Sequence, residues 1–174
     1  DDELAHMPVY QRSNLATALT AAEAALGHEP SAASVRIALD ELVIPGRFEV
    51  LRRDPLVIID AAHNPQSAHA LAGEIRRRFG DAWPISTLLL GVLDDKDAHG
   101  IVRELCPLFS RIVVTASSSS RAIPADELAK IVEDECDVHP EVTANIAEAR
   151  ELLINELILA TGSITVAGEV KDIW

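Results

Sequence analysis

The residues able to do chemistry in this sequence cluster at short breaks between apolar runs, and the richest break is Asp60-Ala61-Ala62-His63-Asn64-Pro65. Asp60 follows Leu56-Val57-Ile58-Ile59 directly, so its carboxylate leaves an apolar strand at a point where an unpartnered charge is costly. Such a group can accept hydrogen bonds from the vicinal hydroxyls of a ribose, as acidic residues do in dinucleotide folds. Asn64 is a good helix N-cap, and Pro65 suits the first helical position. His63 then sits just ahead of a helix start, near backbone N–H groups that favour anions. Asp60 and Asn64 could equally do no more than end a strand and cap a helix. The pattern by itself leaves both readings open.

Three further breaks carry polar groups. In Pro45-Gly46-Arg47-Phe48 a rigid residue, a permissive one and a forked cation make either a hinge bearing a phosphate-binding guanidinium or an interdomain turn with a surface arginine. Gly91 to Asp97 ends in four charged residues, which cap the next helix or reach a ligand; capping is the better reading. Arg121 follows the serine run Ser117 to Ser120, and in an acidic chain it suggests an anionic partner. Gly162-Ser163 lacks the GxSxG frame of a nucleophile elbow, so a catalytic serine is not expected. His63 and His69 do not share a helix face, the other histidines are scattered, and no metal site is expected. Neither GxGxxG nor GxxxxGK[ST] occurs, so ATP chemistry lacks its main phosphate cradle within these residues.

Elements that could position these breaks follow from periodicity. Residues 12–26 repeat apolar positions Leu15, Ala18, Leu19, Ala22 and Leu26 at helical spacing, with Gly27 as a C-cap. A second helix fits 31–42, capped by Ser31, with Val35, Leu39 and Leu42 inward. After Ile44-Pro45-Gly46 the regime changes to alternation. Strands are expected at 48–52, 56–59, 85–90, 111–115, 137–139, 157–160 and 164–167. Helices are expected at 65–79, 98–108, 125–135 and 143–154. This alternation predicts an α/β fold, a Rossmann-like, mostly parallel sheet with helices on both faces, preceded by a short helical segment. Ligands of such sheets bind beyond the carboxyl ends of the strands, which here means the loops Asp60 to Asn64, Gly91 to Asp97, Ala116 to Pro124 and Thr161 to Ser163.

Composition narrows the partners. The chain has 174 residues, 48% of them apolar but only 3% aromatic, so its core must be aliphatic. A net charge of −13 repels phosphate backbones and anionic lipid, which argues against nucleic acid or membrane binding. The run Arg76-Arg77-Arg78 reads as a solvated helix face, because consecutive residues point in different directions. Cys106 and Cys136, without a CxxC, read as thiols of a reducing cytoplasm. No long apolar run and no signal peptide stand out, and the start at Asp1-Asp2-Glu3 reads as that of a fragment of a longer protein.

The order of these motifs resembles the C-terminal domain of folylpolyglutamate synthase, the bacterial bifunctional enzyme (also dihydrofolate synthase) related to the Mur ligases. Gln11 and Asn14 resemble its Q-x-x-N, Pro45 to Glu49 its P-G-R-F-E, and Asp60 to Pro65 its D-[GA]-A-H-N-P. Gly91 to Asp97 resembles G-x-x-x-D-K-D, and Gly162-Ser163 with Gly168-Glu169 resembles the closing G-S-L-Y-x-x-G-E. Ile164 and Thr165 depart from the usual Leu and Tyr, and Pro8 stands where the family often has Gly. Ala61, where Mur ligases usually carry an aromatic, separates it from a muramyl-peptide ligase domain, the nearer rival reading. A stand-alone α/β ligand-binding module is the rival of another class.

The resemblance implies that residues 1–44 end an upstream ATPase domain, 45–48 form the interdomain hinge, and 49–174 form a Mur-ligase-type C-terminal domain. It implies a cytoplasmic, ATP-dependent, ADP-forming ligase that joins L-glutamate to the γ-carboxylate of a folate through an acyl phosphate. Asn14 is then expected at adenine, Arg47 at the ATP phosphates and Asp60 at the ribose. His63, Arg121 and Ser163 are expected on the glutamate side, with Arg47 and His63 as the catalytic pair and Lys96 as a further candidate. ATP and Mg²⁺ are the expected cofactors, held mainly by the ATPase domain of the same polypeptide, and the chain alone is expected to be inactive.

Overall fold

A computed structural model describes residues 7–42, 44–80 and 87–174. Contacts divide the chain into two units, Asp1–Pro45 and Gly46–Trp174.

The first unit holds two helices. α1 (Val9–Leu26) ends at Gly27, whose left-handed backbone (φ 75°) lets its N–H donate to the Glu23 carbonyl. α2 (Ala32–Asp40) starts at Ser31, whose hydroxyl accepts from the Ser34 N–H at 3.1 Å. Leu15, Ala18, Leu19 and Ala22 of α1 face Val35 and Leu39 of α2 across an apolar groove of about 430 Å³. Leu26, expected on the inner side of α1, is instead 55% exposed, whereas Leu42 lines the groove while 45% exposed.

Among its described residues the second unit is a six-stranded sheet flanked by five α-helices. Its elements run β1 (Glu49–Arg53), β2 (Leu56–Ile59), α3 (Pro65–Phe79), β3 (Thr87–Leu90) and α4 (Ala98–Leu105). A 3-10 turn at Cys106–Leu108 follows, then β4 (Arg111–Thr115), α5 (Ala125–Glu135), β5 (Glu141–Thr143), α6 (Ile146–Leu153), β6 (Ile158–Thr161) and α7 (Ile164–Ile173). The strand order is β1-β2-β6-β3-β4-β5, antiparallel only at β1–β2. Alternate residues of each central strand feed opposite cores. Ile58, Leu88, Leu90, Ile112 and Val114 pack with α3, α4 and α5. Val57, Ile59, Leu89 and Val113 pack with α6 and α7. Each fully buried aliphatic side chain here contributes about 1.5–3 kcal/mol, and the sheet carries helices on both faces as the alternation requires.

Two expected strands are corrected. Residues 164–167 open α7 instead of forming a strand. The β-branched run Ile164-Thr165-Val166 reads as a strand, but Ser163 caps the segment by accepting from the Val166 N–H at 3.1 Å, and Val166, Ala167 and Val170 then share one buried face. The short strand expected at 137–139 lies at Glu141–Thr143, paired to β4, so the following helix begins at Ile146 behind the Asn145 cap rather than at Thr143. The start of the strand expected at 85–90 lies partly outside the described residues, which resume at Thr87.

The topology places the crevice. β2 and β6 are neighbours and parallel, yet α3 after β2 packs on one face and α7 after β6 on the other. Successive loops therefore part company at this point, which is where open sheets bind ligands. Backbone hydrogen bonds stitch the loop bases together. Asp60 N–H donates to Ala160 O at 3.0 Å, Gly162 N–H to Ala62 O at 3.1 Å, and Gly91 N–H to Thr161 O at 3.2 Å.

Gly162 makes this approach possible. Its φ is +105°, and a Cβ there would lie 2.6 Å from Gly91 O. Gly162→Ala should therefore cost about 2–5 kcal/mol of folding stability. Gly73→Ala, on a helical site with open space around it, should gain about 0.5–1 kcal/mol. Denaturant unfolding of the two variants checks both signs.

Candidate active site

The turn after β2 is built around a buried carboxylate. Asp60 is 2% exposed, and its two oxygens accept different backbone amides. Oδ1 takes the Ala62 N–H and Oδ2 takes the Phe48 N–H, both at 2.8 Å. Charge-assisted bonds of this kind offset the desolvation of the carboxylate. They also tie the turn to the segment before β1, twelve residues upstream.

α3 then starts from a full capping box. Asn64 Oδ1 accepts the Ser67 N–H at 2.8 Å, while Ser67 Oγ accepts the N–H groups of His63 and Asn64 at 3.0 and 3.1 Å. His63 is fixed at its ring as well. Its Nδ1 lies 2.9 Å from Ala61 O. A carbonyl only accepts, so Nδ1 carries the hydrogen and the neutral ring keeps its lone pair on Nε2.

The segment 46–49 is held from three sides. Gly46 O accepts the Ala61 N–H at 2.7 Å, and Gly46 N–H donates to Glu49 Oε2 at 2.7 Å. Phe48 adopts a left-handed backbone (φ 51°) that its bond to Asp60 maintains. Lys171 of α7 donates to Glu49 Oε1 at 2.6 Å. Burial pushes the Glu49 carboxyl up, but the Lys171 ammonium and the Gly46 amide outweigh it and hold the group below its ordinary value.

These pieces meet at a cleft of about 220 Å³ lined by Arg47, Ala61, His63, Leu93, Lys96, Arg121, Ser163 and Ile164. Three cations and a histidine line it, and among the described residues no carboxylate does. In a chain of net charge −13 this is a local reversal of sign, suited to an anionic ligand. Asp95 stands beside it, with Oδ2 2.7 Å from Lys96 Nζ and Oδ1 3.3 Å from Arg121 Nη1. The hydrogen bond from Lys96, aided by the charges of Lys96 and Arg121, holds the Asp95 carboxyl below its ordinary value. Such exposed pairs contribute little to stability, so a ligand carboxylate can take the place of Asp95 on either cation. The two loops that carry this group are zipped together, Asp94 N–H to Arg121 O at 2.7 Å and Ile123 N–H to Val92 O at 2.9 Å.

Of the residues singled out from sequence, the fold brings Arg47, His63, Lys96, Arg121 and Ser163 to one cleft. Ser163 is fully buried, and its hydroxyl caps α7 and lies 3.0 Å from Thr165 Oγ1. Asp60 lies under the cleft rather than on its wall. Asn14 belongs to the first unit, on the exposed side of α1 at the rim of the α1–α2 groove. Sequence reasoning passed over Glu49, Asp95 and Lys171. The first two stand inside quoted motifs, but Lys171 joins Glu49 only through the packing of α7, and nothing local announces that.

Comparison with known proteins matches this geometry to a family. Residues 46–169 fit the family model described as Mur ligase, glutamate ligase domain. The chain belongs to the Mur ligase glutamate ligase domain family. This glutamate ligase domain is 31% identical to the dihydrofolate synthase/folylpolyglutamate synthase of Mycobacterium tuberculosis, over 95% of this chain and 38% of that protein. It is also similar to the solved structure of Mycobacterium tuberculosis folylpolyglutamate synthase complexed with ADP and AMPPCP. There the TM-score is 0.87 at 31% identity, covering 95% of this chain and 40% of that one. E. coli FolC in complex with DHPP and ADP matches with a TM-score of 0.74 at 25% identity, over 88% and 37% of the two chains. The chain thus spans about two fifths of the length of these relatives.

Glu49 links this site to pH. Its lowered folded value means that its contribution to stability is fully present above the ordinary carboxylate range and is lost as pH falls through the folded value. Glu49→Gln should therefore be less stable than wild type at pH 7, with the gap closing as pH is lowered below about 4. Thermal unfolding of both proteins across pH 7 to 3 measures it (pH values on the order of the carboxylate range); a gap that stays constant contradicts the Glu49–Lys171 link.

Proposed function

We propose that this chain is the C-terminal part of an ATP-dependent, ADP-forming ligase that adds L-glutamate to the γ-carboxylate of a folate. The observation that carries the reading is the cleft itself, in which Arg47, His63, Lys96 and Arg121 converge without a lining carboxylate at the crevice between β2 and β6. The folate enzymes it resembles favour a folate acceptor over a muramyl peptide.

The chemistry proposed has two steps. A phosphoryl group passes from ATP to the folate carboxylate, giving ADP and an acyl phosphate. The α-amine nitrogen of glutamate then bonds to the acyl carbon, the C–O bond to phosphate breaks, and the amine gives up a proton. Charge accumulates on phosphoryl oxygens and then on a tetrahedral oxyanion, and fixed cations in a dry site are the efficient way to stabilise both. Arg47 is assigned to the phosphate oxygens and Arg121, with Lys96 beside it, to a glutamate carboxylate. His63 Nε2 carries the lone pair that can receive the amine proton. Ser163 supports the floor through its cap on α7. Asp60 holds the turn and Phe48 through its two amide bonds; a ribose contact would add a second acceptor bond to an oxygen already held. Asn14 is proposed at adenine, and the upstream ATPase domain of the same polypeptide as partner.

Among the described residues no group of three or more His, Cys, Asp or Glu could hold a metal ion. The Mg²⁺ that phosphoryl transfer requires is proposed to be held by the upstream ATPase domain of the same polypeptide. None of the described helices is long and apolar enough to cross a membrane.

For the full-length parent, ADP release should depend on both folate and L-glutamate, and the present chain alone should release none. In that parent Arg47→Ala should cost about 2–4 kcal/mol of transition-state stabilisation, on the scale of a lost oxyanion donor. A coupled ADP assay reads both results. Turnover by the chain alone, or an unchanged rate in the variant, sinks the assignment.

A further inference from the structure

The arginine run that closes α3 is exposed at Arg76 and Arg77, as its sequence suggests, but Arg78 is half-buried and both Arg77 and Arg78 reach one carboxylate. Arg77 Nη2 donates to Glu74 Oε1 at 2.6 Å and its Nε to Oε2 at 3.1 Å, while Arg78 Nε donates to Glu74 Oε1. Glu74 is only 2% exposed. An ion cluster around one buried carboxylate is weak evidence for stability, because apolar groups of the same volume often serve as well. Its geometry here has another consequence. The Arg78 guanidinium, aimed by Glu74, lies 5.1 Å from the centroid of the Phe48 ring, within cation–π range.

Phe48 is the residue next to Arg47. Its left-handed backbone is one that L-residues leave readily unless something holds it. Three contacts hold it, the Asp60 carboxylate at its N–H, the Arg78 cation at its ring, and apolar packing of the ring against the core under α3, α4 and α5. On the other side of Arg47, Gly46 is pinned by Ala61 and Glu49. Arg47 is thus strung between two anchored residues, and the direction of its side chain into the cleft follows from those anchors.

We propose that Arg78, oriented by the buried Glu74, is a positioning residue that aims Arg47 by holding the Phe48 ring. The link is independent of what Arg47 does; its effect on turnover rests on the ligase function proposed above.

Two measurements test it. In the present chain, hydrogen exchange of the Phe48 amide should speed up about three- to thirtyfold in Arg78→Gln, the scale of a lost cation–π contact, while the amides of Leu88, Leu89 and Leu90 stay unchanged. Phe48→Leu, which leaves Glu74 and both arginines intact, should do the same and serves if Arg78→Gln folds poorly. Unchanged Phe48 exchange, or equal acceleration throughout β3, overturns the proposal. In the full-length ligase, Arg78→Gln should lower kcat roughly tenfold with little change in KM for glutamate, yet by less than about twofold once Arg47 is already Ala. An equal loss in both backgrounds overturns the link to Arg47. A parent that shows no folate- and glutamate-dependent ADP formation refutes the ligase reading alone, because the exchange result needs no turnover.

Discussion

The Asp60 carboxylate, buried at the end of β2 with one oxygen on the Ala62 amide and the other on the Phe48 amide, is the constraint on which the site depends. Water is unavailable to solvate that charge, so the amides must stay where they are. The bond to Ala62 shapes the turn that presents His63 and starts α3. The bond to Phe48 keeps the segment before β1 against the same turn. One desolvated group thereby fixes the relative position of Arg47 and His63, which come from opposite ends of a hairpin.

The sheet topology supplies the rest. Placing β6 between β2 and β3, with α7 on the face opposite α3, opens the crevice and brings Ser163 and Ile164 to it. The loops after β3 and β4 bring Lys96 and Arg121, zipped together by their backbones. The electrostatic outcome is a cationic pocket on an acidic molecule. Such a pocket suits small anionic groups.

Much of this is legible in the residues themselves. The continuous apolar run at 56–59, the strand at 111–115 and the helical repeats at 65–79 and 125–135 fall where the structure has them, because each buries an apolar face. The run at 164–167 misleads, since its β-branched residues suit a strand and only the Ser163 cap turns them into a helix. Apart from Arg47, which precedes β1, the site residues are legible as loop positions after strands, but their convergence is not. It depends on strand order, and a sequence does not state that β6 inserts between β2 and β3. Asp60 is the sharpest case. A carboxylate after an apolar strand reads either as a ligand group or as a strand end. Its structural partner, the Phe48 amide, is a backbone group that no side-chain pattern reveals.

The most direct test is a structure of the full-length protein with a non-hydrolysable ATP analogue and L-glutamate. The glutamate carboxylate should lie against Arg121 with the α-amine facing His63 Nε2, and Arg47 should reach the phosphate chain. Glutamate bound elsewhere, with Arg47 and His63 turned away from both ligands, would contradict the account.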